Sequence, residues 1–141
     1  MGVTNHQQVE REAQRAQINR EELVERIAQA VPEDGVVQPL QGFHLGRRST
    51  PSERIHSVLD PSFCVIAQGS KVTFVGNTRY QYDPLRYLLV TLDLPLVSQV
   101  MKASRERPYL SFRLSLDPQF VSSVMFEAGY SVSPRGAAVA R

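Results

Sequence analysis

Hydrophobic and polar positions divide the chain into a helical first segment and a β-rich remainder. Residues 5–31 are mostly Glu, Gln, Arg and Ala, which favour helices. Within them Leu23, Ile27 and Val31 recur at four-residue spacing. Before Ile18 this apolar stripe is thin. The pattern predicts a helix over 5–31 whose second half packs on the domain and whose first half projects into solvent or onto a partner.

From residue 36 to about residue 116, short runs of β-branched and aromatic residues alternate with turn signals. The predicted strands lie near 36–40, 43–48, 53–58, 62–68, 71–75, 78–82, 87–92, 96–102 and 109–115. The Gly-Asn pair in "VGNT" favours a two-residue hairpin, and "AQGSK" at 67–71 favours another tight turn. Such closely spaced strands are typical of a sandwich or a small barrel.

The stretch "DPQFVSSVMFEAG" predicts a second helix near the end of the chain. Asp117 suits the N-cap, Pro118 the first helical position and Gly129 the C-terminal stop. Residues 130–141 show no clear period and are interpreted as a linker. We therefore divide the chain into an N-terminal helical segment, residues 1–31, a β domain, residues 32–129, and this tail.

Composition narrows the possible functions. Hydrophobic residues make up 42% of the 141 residues, and one domain with its own core is expected. A net charge of +2 without a block of Lys or Arg does not indicate a nucleic-acid surface. No run approaches the roughly 18 apolar residues of a membrane span, and the N-terminus lacks an apolar signal core. We predict a cytoplasmic protein that does not associate with a membrane.

The lone cysteine, Cys64, has four possible roles: a nucleophile, a metal ligand, a wall of a binding pocket, or a core residue. It lies in a predicted strand between Phe63 and Val65, and one cysteine cannot form an internal disulfide. Apolar burial raises a thiol pKa and makes the thiol inert, whereas a nucleophile needs a neighbouring histidine or a helix N-terminus. The surroundings disfavour catalysis and leave the core and pocket interpretations open.

Neither the metal-ligating nor the acidic residues form a recognisable site. His6, His44 and His56 are widely spaced, and the chain has no Cys-x-x-Cys. No phosphate loop, nucleophile elbow or pair of catalytic carboxylates is present. We therefore predict no catalytic residues, no metal and no cofactor.

Basic and aromatic residues alternate in "RYQYDPLRY", residues 79–87. Stacking combined with charge is how single-stranded nucleic acid is bound. Tyr80 and Tyr82, however, share one face of a strand by period two, which equally predicts a wall lined by tyrosines.

Three segments in series resemble the N-terminal domain of AraC-type transcription regulators. They are "PSFCVIAQGSK", "YQYDPLRYLLVTLDLP" and "ERPYLSFRLSLDP", and the resemblance runs from about Leu23 to Gly129. It implies a mainly β, cupin-like β-barrel (a double-stranded β-helix or jelly roll) with an N-terminal and a C-terminal helix. It also implies a domain that senses a small-molecule effector or forms a homodimer. Promoter DNA would be bound by a C-terminal helix-turn-helix domain, expected beyond the tail and absent from this chain.

A cupin-type enzyme, such as an isomerase or a dioxygenase, is the alternative hypothesis. Cupin enzymes usually place two histidines one residue apart and a glutamate a few residues later. Comparison by eye puts His56 at the first histidine, Val58 at the second and Ser62 at the glutamate. One ligand of three remains, so metal-dependent chemistry is disfavoured.

The same comparison predicts which side chains face the interior of the barrel. If Ser62 points inward, strand alternation directs Cys64 and Ile66 inward as well. A largely apolar interior with a few polar groups suits a small, mostly apolar ligand. The predicted ligand-binding residues are His56, Cys64, Ile66, Tyr82 and Arg113.

Overall fold

The computed structural model describes residues 5–129 and 139–140, and in them two helices and ten strands. The helices are α1, Asn5–Ala30, and α2, Pro118–Glu127. The first five strands are β1, Gly35–Leu40; β2, Phe43–Arg48; β3, Ile55–Leu59; β4, Ser62–Gln68; and β5, Ser70–Val75. The others are β6, Thr78–Tyr82; β7, Tyr87–Val90; β8, Leu94–Lys102; β9, Tyr109–Ser115; and β10, Val139–Ala140.

The strands form two antiparallel sheets. The six-stranded sheet has the order β1-β2-β9-β4-β7-β10, and the four-stranded sheet has the order β3-β8-β5-β6. The mainly β class with an N-terminal helix is thus confirmed. Within the described residues no strand of one sheet pairs with a strand of the other, so the predicted closed barrel is not formed there. The sheets instead face each other as two layers.

Strand pairing is nested around the β5–β6 hairpin. Outward from β5·β6, the chain pairs β4 with β7, β3 with β8 and β2 with β9. At the tip of the hairpin Val75 pairs with Thr78, which leaves the two-residue loop that the Gly-Asn signal predicts. Gly76 has φ +60° there, as the first central residue of a type II′ turn requires.

The predicted elements mostly coincide with the observed ones. Strand β8 begins two residues earlier than predicted, at Leu94, and so includes Pro95. That proline is tolerated because β8 pairs only with β3 at this end, so its missing N–H faces no second partner. Of the predicted linker, 130–141, only β10 is described, where it pairs with β7; residues 130–138 and 141 lie outside the described residues.

Helix α1 packs through its second half on the outer face of the six-stranded sheet. Ile27 and Val31 are 2% and 1% exposed, and they form one buried cluster with Leu45, Ala67 and Leu110. The predicted division of this helix is therefore confirmed, because its first half stays in solvent. Although α1 has 26 residues, no helix in the described part of the chain has the apolar stretch that a membrane crossing needs.

A single residue, Gly69, connects β4 in one sheet with β5 in the other. Its φ of +90° lies in the left-handed region. A Cβ at this position would lie 2.5 Å from the carbonyl oxygen of Lys102, and both the angle and the contact require glycine. The tight turn predicted over 67–71 thus proves to be the crossing between the two sheets.

Replacing Ile27 by alanine tests the packing of α1. We expect Ile27→Ala to lower the free energy of unfolding by about 2 to 5 kcal/mol, because the side chain leaves a cavity between helix and sheet. Leu85→Ala, at a side chain 76% exposed, should change it by less than about 0.5 kcal/mol. Urea unfolding of the 141-residue chain measures both values. Equal effects at the two positions would show that α1 does not contribute to the core.

Candidate functional site

A cavity of about 220 Å³ lies between the two sheets. The six-stranded sheet contributes inward-facing side chains from β2, β4, β7 and β9, and the four-stranded sheet contributes others from all four of its strands. Those used below are His44, Cys64, Ile66, Leu88 and Arg113 from the first sheet, and Ser57, Leu59, Lys71, Tyr82, Leu96 and Ser98 from the second. Both layers are therefore needed to form the cavity.

Strand alternation on β4 explains how the six-stranded sheet packs against α1 on one face and lines the cavity on the other. Cys64 and Ile66 belong to the cluster between the sheets, whereas Ala67 belongs to the cluster beneath α1. Phe63 also faces outward, with its ring centroid 5.5 Å from that of Tyr87. The strand is apolar on both faces because each face is covered.

Four of the five predicted site residues line the cavity, and one does not. Cys64, Ile66, Tyr82 and Arg113 are among the lining residues. His56 lies on the exposed outer face of β3, beside Val97. The prediction that His56 faces the interior is therefore wrong.

The turn between β3 and β4 explains this error. On β3 the residues that face the cavity are Ser57 and Leu59, whereas on β4 Cys64 faces it. Alternation counted from Cys64 back through Asp60-Pro61 would direct even-numbered residues inward on β3 as well. At these two residues the chain turns and passes from one sheet to the other, and this changes the phase of the alternation.

The Cys64 thiol is half-buried and only weakly nucleophilic. Burial raises its pKa above the ordinary value, and this is the dominant effect. A contact of 3.7 Å with Ser62 Oγ and the charges of Lys71 and Arg113 oppose the shift only in part. The sulfur thus stays protonated near neutral pH, which fits a wall of the cavity rather than a nucleophile.

Tyr82 carries a buried hydroxyl for which the described part of the chain offers no partner. The residue is 4% exposed, and no described group hydrogen-bonds to its buried oxygen. Burial raises the pKa of this phenol far above its ordinary value, so the hydroxyl remains a donor. Tyr80 packs against the same inner cluster. The two tyrosines therefore form a wall between the sheets, and the alternative of a stacking surface for nucleic acid has no support.

Arg113 is held by two neighbours at one side of the cavity. Its Nη1 donates to Asp60 Oδ1 at 2.9 Å, and its Nη2 lies 3.4 Å from His44 Nδ1. Because a guanidinium only donates, the second contact requires an unprotonated Nδ1 on the imidazole. His44, a residue the sequence did not single out for this site, thus helps to orient Arg113 across the strand pair β2·β9.

Lys71 lines the cavity, but it was not among the site residues predicted from the sequence. It pairs directly with Tyr82 across the β5–β6 hairpin, so both side chains lie on the same face. The hairpin signal at Gly76 fixes this register. Counting back from the turn would therefore have found Lys71 once Tyr82 was assigned to the interior.

No metal centre is evident in the part of the chain that the structure describes. There, no three His, Cys, Asp or Glu side chains approach closely enough to share an ion. The cupin position assigned to His56 lies outside the cavity. The alternative of a cupin enzyme therefore gains no support from the geometry.

Removing the Tyr82 hydroxyl should stabilise the unliganded domain. A buried, unpaired hydroxyl costs about 1 to 3 kcal/mol, so Tyr82→Phe is expected to raise the free energy of unfolding by about 1 kcal/mol. Tyr80→Phe, on the same strand and face, is the matched control and should change it by less than about 0.5 kcal/mol. Urea unfolding checks both. A destabilised Tyr82→Phe would mean that the hydroxyl has a partner in solution.

Comparison with known proteins identifies the family. A family model described as the AraC-type transcriptional regulator N-terminus matches residues 39–141. No curated protein and no solved structure matches the chain. The matched range contains every cavity residue discussed above, from His44 to Arg113. Because it covers well over half of the chain, the protein belongs to the family of N-terminal domains of AraC-type transcriptional regulators.

Proposed function

We propose that this domain senses a small-molecule effector in the cavity between its sheets and thereby regulates DNA binding by a helix-turn-helix domain of the same regulator. The observation that carries the proposal is a cavity of about 220 Å³ lined from both sheets. A cavity of 150 Å³ accepts benzene, so this one has room for a ligand of roughly nine non-hydrogen atoms. The role is regulatory rather than catalytic and, since the target is promoter DNA, cytoplasmic.

The strand order supports a cupin-like jelly roll as the architecture of the sensor. In a jelly roll, eight strands form two facing four-stranded sheets in a Greek-key order. Strands β2 to β9 have the nested pairing of such a fold, with β1 and β10 added at the edges of one sheet. Ligands of such folds lie between the sheets, which is where the cavity occurs.

The six-stranded sheet offers a short route from the cavity to α1. Cys64 and Ile66 touch the cavity, while their neighbour Ala67 contacts the helix cluster. A ligand that shifts β4 therefore changes the surface on which Ile27 and Val31 pack. Such a shift biases two arrangements of the regulator only if the ligand prefers one of them.

We propose that the first half of α1 mediates homodimer formation. Val9 in this half and Ile18, the first residue after the midpoint of the helix, are 63% and 62% exposed. An amphipathic helix that lies free of its own domain is suited to pair with a second copy.

Ile18→Asp tests this dimer role without touching the core. The parent chain is expected at twice the 15.8 kDa monomer mass and the variant at the monomer mass, measured by light scattering at equal concentration. A charge buried in a helix pair costs several kcal/mol, so the shift should be near complete. A monomeric parent chain would contradict the proposal.

Thermal shift with a library of small metabolites tests the sensing role. A ligand at one hundred times its dissociation constant stabilises the folded state by about 2.7 kcal/mol, and the melting temperature rises by several degrees. Ser98→Leu directs a larger side chain into the cavity and should weaken binding at least about tenfold. Gln99→Leu, the next residue on β8, is the matched control on the outer face and should leave binding unchanged.

Cys64 gives a second, site-specific readout because it is the chain's single cysteine. A ligand in the cavity should slow its alkylation by excess iodoacetamide at alkaline pH, where part of the thiol is ionised; mass spectrometry follows the reaction. A compound that stabilises Ser98→Leu as strongly as the parent chain and leaves Cys64 alkylation unchanged must bind elsewhere. Failure of every compound to bind at the cavity would refute sensing at this site.

A further inference from the structure

We propose that the effector is a small carboxylic acid whose carboxylate is bound by Lys71 and Tyr82, with its apolar body against Ile66, Leu88 and Leu96. This inference rests on the proposed sensing function and specifies the chemistry of its ligand.

Lys71 has no counterion among the described residues. Two other cations line the cavity, and each has an acidic partner: Arg113 lies 2.9 Å from Asp60, and Arg86 lies 3.3 Å from Asp83. No carboxylate of the described residues lies within 4.0 Å of the Lys71 ammonium. Lys71 is half-buried, and a desolvated charge is costly unless it is paired. A bound anion would offset that cost.

Tyr82 supplies an independent observation at the same place. Its hydroxyl is buried and has no described partner. Tyr82 itself lies directly opposite Lys71 in the register of the β5–β6 hairpin. Both groups are donors, the ammonium with three hydrogens and the phenol with one. A carboxylate has two oxygens that only accept, so a single ligand group has an acceptor for each of the two donors.

The rest of the cavity agrees with an acid of modest size. Asp60 and Asp83 balance the charges of Arg113 and Arg86, so the charge of Lys71 is the one left over among the described lining residues, and it favours an anion over a cation. Ile66, Leu88 and Leu96 provide apolar walls. A volume of about 220 Å³ holds roughly nine non-hydrogen atoms, the number in benzoate and one more than in hexanoate.

The test compares acids with their neutral amides on the 141-residue chain. The probes are benzoate and hexanoate, with benzamide and hexanamide as controls, titrated by calorimetry and thermal shift. At least one acid is expected to bind at least about tenfold more tightly than its amide. Added salt should weaken binding of the acid and leave binding of the amide unchanged.

Lys71→Met keeps the length of the side chain and removes its charge. It should weaken binding of the acid at least about tenfold and leave amide binding unchanged. Lys102→Met, at an exposed lysine that does not line the cavity, is the control and should change neither. Tyr82→Phe should weaken acid binding severalfold. The unliganded melting temperature of Lys71→Met should equal or exceed that of the parent chain, which shows that lost binding is not lost folding.

Three results would overturn the inference. The first is an acid that binds Lys71→Met as tightly as the parent chain, and the second is an amide that binds as tightly as its acid. The third is no binding by either acid at millimolar concentration. If neutral compounds bind and are blocked by Ser98→Leu, the carboxylate inference fails while the sensing function stands. If no compound binds the cavity, both fail.

Discussion

The centre of the six-stranded sheet, formed by β2, β4 and β9, is covered on both faces, and the rest of the domain depends on this double coverage. On its outer face Leu110 packs beneath Ile27 of α1, and on its inner face the neighbouring strand β4 presents Ile66 to the cavity. Burying apolar area stabilises roughly in proportion to that area, at about 25 cal/mol per Å². A sheet that buries two faces can therefore remain stable even though the space beside it is not completely filled.

The cavity lies where the side chains that face the interior are small and polar instead of large and apolar. Thr73 and Ser98 face each other across β5 and β8, and both are buried. A leucine at either position would occupy space that is now open. These small side chains, together with the Lys71 ammonium and the Tyr82 hydroxyl that lack described partners, lower the stability of the unliganded domain. Such a loss of stability is common at binding sites. The same features would weaken a hydrophobic core, but they would help a binding site to discriminate between ligands.

The sequence predicted those features that local chemistry determines. The Gly-Asn hairpin, the tight turn at Gly69 and the inward direction of Cys64 and Ile66 follow from turn residues and strand alternation. Alternation failed at His56 because it does not continue through a turn between sheets. The sequence also left open whether the strands form a sandwich or a closed barrel, and so did not assign the strands to two separate sheets. That assignment depends on which distant strands pair, and the pattern of a single strand does not contain that information.

Strand β4 is tied to the opposite sheet at both of its ends. Gly69 alone links it to β5, and Asp60-Pro61 link it to β3. Because consecutive Cα atoms are 3.8 Å apart, Gln68 and Ser70 cannot be separated by more than about 7 Å. The two sheets therefore cannot separate at the ends of β4 to admit a larger ligand. The spacing between the sheets is thus fixed at both ends of β4, and a molecule in the cavity would have to fit the gap that these two links allow.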